Sequence, residues 1–304
     1  MAAEGHRTEN IADWAKRPVA MRDAGANALT IDVEDYFQVE AFFGLVDRSC
    51  WDQQECRIER NVDRILELLD AAGAQGTFFT LGWVAKRYPS TVRRIVSGGH
   101  ELASHGLSHH RADGQSRSEF LTDVTEAKAI LEDTGGVSVK GYRAASFSIT
   151  PSNLWAFEAL EQAGYQYSSS VYPIRHDLYG IPLAPRFAFH PSSFSDFMEI
   201  PVTSVRRFGA NWPCGGGGYF RLLPYWLSAH NMRTVRRRDK QPCIFYFHPW
   251  ELDPDQPRIQ GAPLKARLRH YTNLDKMQSR LKRLLSDFSW KRLDQIYPMP
   301  ARRS

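Results

Sequence analysis

Four cysteines in 304 residues, at positions 50, 56, 214 and 243, form no C-x-x-C pair and no framework spacing. A Cys50–Cys56 bridge stays open, but reduced thiols in a cytoplasmic protein are the favoured state. No run approaches the roughly 18 consecutive apolar residues that a membrane span needs. The first stretch, "MAAEGHRTENIADWAKRP", lacks an apolar h-region, so no secretory signal is expected. The expected location is therefore the cytoplasm, the inner face of the membrane included. There is no internal repeat and no low-complexity tract. Lys and Arg outnumber Asp and Glu by 39 to 34, a mild excess. The basic residues are scattered apart from Arg233–Arg238, Lys265–Arg269 and Arg302–Arg303, with no recognisable nucleic-acid module around them, so no nucleic-acid partner is expected. Peripheral contact with anionic lipid or an acidic glycan stays open. The glycines at 215–218 are not followed by G-K-[ST], which excludes a phosphate loop. A flexible loop and a close backbone approach to a sugar are the two readings left.

With 42% hydrophobic and 24% charged residues, the composition is that of an ordinary globular enzyme. Short apolar runs alternate with helical patterns. Ala28–Val33 reads as a buried strand ending in acids. A helix follows with Ile65, Leu66, Leu68 and Leu69 on one face, Asn61 as N-cap and Gly73 as C-cap. "GTFFTL" is the next strand, and a helix from Ser90 closes on Gly98–Gly99 before the strand "HELASH". Two further helix–strand steps and a late strand, "CIFYFHPWEL", complete at least five alternations. That rhythm predicts a parallel α/β fold, and a barrel fits the length. Between 172 and 240 it breaks into proline- and glycine-rich connections. Near the end, Leu274, Met277, Leu281, Leu284, Leu285 and Phe288 give an amphipathic helix expected to dock on the outside.

In such folds, chemistry collects where the C-terminal ends of parallel strands converge. Asp32, Glu34 and Asp35 close the first strand, His105 the third, Arg143 the fourth and His248 the late one. His105 sits at a strand end and His109 returns in the turn after it, with Gly106 between. Imidazole and carboxylate suit Zn, Fe, Co, Ni or Mn. Along an extended strand Asp32 and Glu34 face one way and Asp35 the other. Two close carboxylates can divide the labour, one binding metal and one taking a proton from water. Arg143 in an apolar strand end needs a partner, and Asp32 is the natural one.

The ordered set "TIDVED", "HELASHGLSHH", "GYRAASFSI" and "YFHPWEL" resembles the polysaccharide deacetylases of carbohydrate esterase family 4, with the NodB-homology fold. "DYFQVEAF", "GGGYFRLLPYWL" and "HYTNLDKMQSRLKRLL" resemble the subgroup found with exosortase (PEP-CTERM) exopolysaccharide loci. The resemblance implies a distorted (β/α) barrel of about seven strands with a C-terminal helical extension. It divides the chain into a flexible leader (1–27), the barrel (28–250) and an extension packed on it (251–304). It implies a divalent metal, Zn above all, with Co, Ni, Mn or Fe as alternatives, and hydrolysis of N-acetyl groups on a sugar polymer or its precursor. By position, Asp32 matches the catalytic base, Arg143 the arginine that orients it and His248 the general acid. His105 and His109 match the metal ligands, and either Glu34 or Asp35 completes the set. The family's later aspartate, which partners the acidic histidine, has no counterpart at Tyr167–Ser169; Asp177 or Glu251 would have to substitute. The expected partner is an N-acetylated polysaccharide or oligosaccharide, with a lipid-linked glycan suiting the basic tail; the oligomeric state is open. The competing expectations are a metal amidohydrolase acting on a small cyclic amide and a non-catalytic glycan-binding relative.

Overall fold

β-branched and aromatic residues gather in short buried runs, and these runs are the strands. The structure, a computed structural model, describes residues 11–299 apart from 178 and 194. A single helical turn, α1 (Ile11–Trp14), precedes β1 (Asn27–Val33), α2 (Ile58–Ala71), β2 (Thr77–Thr80), α3 (Gly82–Arg87), α4 (Pro89–Ser97) and β3 (Glu101–Ser104). Then come α5 (Arg117–Gly135), β4 (Gly141–Tyr142), α6 (Trp155–Gln162), β5 (Tyr167–Ser168) and β6 (Met198–Glu199). The hairpin β7 (Ser204–Arg207) and β8 (Ala210–Pro213) leads to α7 (Gly217–Leu222), α8 (Tyr225–Thr234) and β9 (Ile244–Phe247). The chain ends in α9 (Leu264–Tyr271), α10 (Leu274–Asp287), β10 (Trp290–Lys291) and α11 (Leu293–Ile296).

β1 to β6 lie side by side in sequence order, and all of these pairings are parallel. On its other edge β1 pairs with β9 along Ala28–Ile31, and β10 flanks the start of β1 opposite β9, at Asn27–Ala28. The sheet thus has eight strands, one more than the resemblance implies, because the C-terminal segment contributes β10. Instead of a full ladder between β6 and β9, Thr203 links the two edges: its N–H donates to the Ile244 carbonyl at 3.3 Å, and its Oγ1 accepts from the Ile244 N–H at 2.6 Å. The sheet is therefore curled into a distorted barrel, the expected fold class. All seven residues of β1 are buried, as a central parallel strand requires.

The helices obey their periodicity. α2 buries Ile58, Val62, Ile65 and Leu69 at helical spacing. It begins at Ile58, earlier than expected, and Asn61 is buried inside it rather than capping it. Asp35 supplies the missing acceptor, taking the Arg57 N–H at 2.5 Å. α5 opens on a capping box in which the Glu119 carboxylate takes the Ser116 N–H at 2.8 Å and Ser116 Oγ takes the Glu119 N–H at 3.3 Å.

Residues 1–10 of the expected leader lie outside the described residues, and in the remainder Trp14, Ala26 and Asn27 are buried. Trp14 is 1% exposed and stacks on Phe189 with ring centroids 4.8 Å apart, so burial of a large aromatic ties this segment to the barrel. α10 puts Met277, Leu281, Leu284 and Leu285 into the same core cluster as Leu29, Ile31 and Phe245. All four cysteines are free, Cys50 and Cys56 included. Among the described residues no helix is long and apolar enough to cross a membrane.

Candidate metal and acid–base site

Parallel strands deliver their C-terminal ends to one rim, and the polar residues cluster there. Glu34 follows β1, while His105 and His109 follow β3. One ligand atom from each lies within 4.8 Å of the others, and all three residues are buried. Two left-handed residues fold the loop back: Gly106 at φ 82° and His109 at φ 55°. A Cβ at Gly106 would meet Asp123 Oδ2 at 3.0 Å, where that oxygen accepts the Leu107 N–H at 3.1 Å. The turn therefore favours glycine twice, by φ and by space.

His105 Nδ1 lies 2.8 Å from the Arg143 carbonyl oxygen. A carbonyl only accepts, so Nδ1 carries the proton and Nε2 presents a lone pair. Burial, the largest effect, and nearby His109 lower the His105 pKa to about 4 against the pull of Asp32 and Glu34, which keeps the ring neutral. Glu34 is the opposite case. Burial opposes its charge most strongly, but His109, His248 and His105 together hold it at about 2. Its Oε2 stands 2.7 Å from His109 Nε2 and 4.0 Å from His105 Nε2. Despite that approach no hydrogen bond reaches Oε2, since the 2.7 Å contact is not aligned as one. A buried anionic oxygen without a donor, facing two imidazoles, is the donor set a divalent cation takes.

Asp35 is not part of this group, which corrects its assignment as a candidate ligand. It points the other way along the extended chain, where Oδ1 accepts the Tyr36 N–H at 2.8 Å and Oδ2 accepts the Arg57 N–H. Its oxygens serve the start of α2.

Asp32 lies on the same side as Glu34. Arg143, fully buried, donates to Asp32 Oδ1 at 2.6 Å, Thr30 Oγ1 at 2.9 Å, the Ser169 carbonyl at 3.0 Å and Ser169 Oγ at 2.9 Å. Its guanidinium also covers the Phe79 ring at 4.1 Å. These contacts offset the desolvation of a buried cation and fix one Asp32 oxygen. The other oxygen stands 3.9 Å from His248 Nε2, which is itself 3.4 Å from Glu34 Oε1.

His248 caps the turn after β9, where Glu251 Oε1 accepts from its Nδ1 at 2.8 Å and from its backbone N–H at 3.1 Å. Burial works against charge on the ring, but Glu34, Glu251 and Asp32 raise its pKa to about 9. Glu251 thus occupies the role left vacant at Tyr167–Ser169. Asp177, the other candidate, is held at the surface by Lys265 (2.6 Å) and Arg269 (3.0 Å). Arg221 in α7 donates to Glu251 Oε2 at 2.7 Å. Sequence reading missed Arg221, and it also missed Glu199, which accepts the Ser170 and Val171 N–H groups behind Arg143. The three-residue spacing in "HPWE" was the available signal for Glu251; an arginine in a loop-rich stretch gave none.

The glycines at 215–218 find their explanation in the same corner. Tyr246 donates its N–H to the Gly215 carbonyl at 2.7 Å, so the segment runs alongside β9 as a strand would. A Cβ at Gly215 would strike the Ile244 carbonyl, one at Gly216 the Tyr246 ring, and one at Gly217 the Glu251 carboxylate.

Comparison with known proteins agrees with this architecture. A family profile described as polysaccharide deacetylase matches residues 49–168, and a domain of unknown function, DUF3473, matches 169–298. This chain carries a polysaccharide deacetylase domain. The two matched regions share most of the site, with His105, His109 and Arg143 in the first and Arg221, His248 and Glu251 in the second, while Asp32 and Glu34 precede both. A peptidoglycan-N-acetylglucosamine deacetylase of Bacillus cereus is 30% identical over 96 residues, 31% of this chain and 35% of the relative. A chitooligosaccharide deacetylase of Sinorhizobium fredii is 32% identical over 97 residues, 32% of this chain and 42% of the relative. The chain thus spans well under half the length of these curated relatives. A solved structure from Mycobacterium smegmatis, described as a polysaccharide deacetylase, superposes with a TM-score of 0.53 at 19% identity, covering 95% of this chain and 98% of that one. The likeness shows the shared fold.

Proposed function

We propose that this protein is a divalent-metal-dependent hydrolase that removes N-acetyl groups from an amino-sugar chain. The observation that carries the reading is the convergence of Glu34, His105 and His109 between Asp32–Arg143 on one side and His248–Glu251 on the other. A divalent ion bound to the three ligands supplies Lewis acidity toward water and an amide carbonyl. Zn suits two imidazoles and a carboxylate best, with Co, Ni, Mn or Fe as alternatives. Asp32 takes the proton of the attacking water on Oδ2, since Oδ1 is committed to Arg143. His248 Nε2 gives a proton to the departing nitrogen while Nδ1 remains bonded to Glu251, and acetate and a free amine result. The relatives named for deacetylation of peptidoglycan or chitooligosaccharide support an N-acetylated sugar as substrate.

A chain-like substrate is favoured over a small cyclic amide by the surface beside the ligands. A depression of about 730 Å³ adjoins a smaller one of about 160 Å³ that reaches His109, and Glu40, Phe43 and Arg48 line both. Phe43 is 68% exposed there, an aromatic face open to a sugar ring. Exopolysaccharide biosynthesis is the setting that the sequence motifs suggest, with the polymer or a lipid-linked precursor presented at the inner face of the membrane. The test is acetate release from N-acetylated oligosaccharides by metal-loaded protein, with and without chelator. Chelator-sensitive release supports the reading. Binding of the oligosaccharide without release would favour a non-catalytic glycan-binding protein.

A further inference from the structure

Arg221 is 1% exposed, and its guanidinium has partners that the core of the barrel does not supply. Nε donates to Glu251 Oε2 at 2.7 Å. Nη1 donates to the carbonyls of His270 at 3.0 Å and Thr272 at 2.6 Å, and Nη2 to the Arg269 carbonyl at 3.0 Å. Those carbonyls belong to the end of α9, where a helix leaves its last C=O groups unpaired and its dipole favours a cation. Arg221's own carbonyl is gripped by Asn273 Nδ2 and by Arg280 Nη1, each at 2.8 Å. Residues 269–280 thus hold both the guanidinium and the backbone of Arg221.

Glu251 is equally constrained. Oε2 takes Arg221, Oε1 takes the ring and backbone of His248, and the Cα of Gly217 lies against the carboxylate where no side chain fits. An anionic Glu251 can only accept, so the arrangement dictates that His248 Nδ1 bears hydrogen and that Nε2 is the atom turned toward Asp32 and Glu34.

We propose that Arg221 is a positioning residue for His248, acting through Glu251, and that residues 269–273 are thereby part of the apparatus that protonates the leaving group. This rests on the proposed function in taking His248 as the proton donor. A purely structural ion pair would hold the fold without affecting which reactions His248 assists, and that difference is measurable. Departure of an amine from an N-acetyl group needs a proton, whereas departure of 4-nitrophenolate from 4-nitrophenyl acetate does not.

The test compares metal-loaded wild type, Arg221→Met and Arg221→Lys on both substrates. For Arg221→Met, kcat on the N-acetylated oligosaccharide should fall about 100-fold more than kcat on the ester, with KM for the oligosaccharide little changed. Arg221→Lys should recover part of the amide activity. In parallel, nitrogen-15 spectra of the His248 ring in the zinc-loaded protein, recorded at a pH where the ring is neutral, should show the Nδ1-protonated tautomer in wild type and mixed tautomers in Arg221→Met. If Arg221→Met does not fold, Arg221→Gln, which keeps a hydrogen-bond donor and leaves Glu251 in place, carries the same two measurements. Equal losses on the two substrates, or an unchanged His248 spectrum, overturn the proposal. If the wild type cleaves neither substrate, the proposed function falls, and the His248 spectrum alone decides whether Arg221 positions the ring.

Discussion

At the scale of single residues, three carboxylates within four positions have three separate tasks, set by where the chain points each one. Asp32 faces Arg143 and His248, Glu34 faces the two histidines, and Asp35 turns back to α2. Asp32→Asn should lower acetate release by at least about 100-fold while metal content, measured by elemental analysis, stays at the wild-type level. Glu34→Ala should lose the metal itself. Asp35→Ala should leave metal content unchanged and lower stability by about 1 kcal/mol, the scale of a lost helix cap, read from denaturant melts. Loss of metal from Asp35→Ala would return that residue to the ligand set. The pattern "DVED" shows that acids gather at the strand end, and period-two alternation already puts Glu34 with Asp32. It does not say where alternation stops, which is why Asp35 stayed a candidate until its hydrogen bonds were visible.

At the scale of elements, the glycines after β8 matter more than their number suggests. Gly217 lets α7 begin directly against Glu251, and α7 then carries Arg221 to the same carboxylate. Gly217→Ala should push Glu251 away from His248. Oligosaccharide deacetylation should fall with full metal occupancy, and a variant as active as wild type would show that this contact is dispensable. Helix and strand order were legible from periodicity and from helix-closing glycines, as at Gly73 and at Gly98–Gly99. The start of α2 was not, because the N–H of its N-cap residue, Arg57, is taken by Asp35 from another loop. A partner distant in sequence leaves no mark in a local pattern.

At the scale of the whole molecule, the C-terminal segment belongs to the core. β10 pairs with β1, and α10 fills the main cluster beneath β1 and β9. A chain ending at residue 263 should lack a cooperative thermal transition by circular dichroism, because deleting α10 opens the largest apolar cluster to water. Stability should also respond to pH through Glu199, whose burial raises its pKa to about 7 despite the hydrogen bonds from Val171 and Ser170. A raised pKa means that the folded state holds a proton which the unfolded chain releases. The contribution of Glu199 is therefore complete below the ordinary carboxylate range and is lost as pH rises through about 7. Glu199→Gln should flatten that loss, so its melting temperature relative to wild type should rise between pH 5 and pH 8. A constant difference across that range would mean that Glu199 titrates normally.

The sequence by itself determined the alternation of strand and helix, the strand-end placement of Asp32, His105, Arg143 and His248, and the return of His109 after Gly106. All of these follow from local periodicity and from glycine's access to left-handed backbone. Only the tertiary structure decided that Glu34 rather than Asp35 joins the histidines, that Glu251 partners His248, and that Arg221, anchored on the carbonyls of residues 269–272, holds Glu251. Those choices depend on which buried charges meet across the fold, and a buried charge takes whatever partner packing brings within reach.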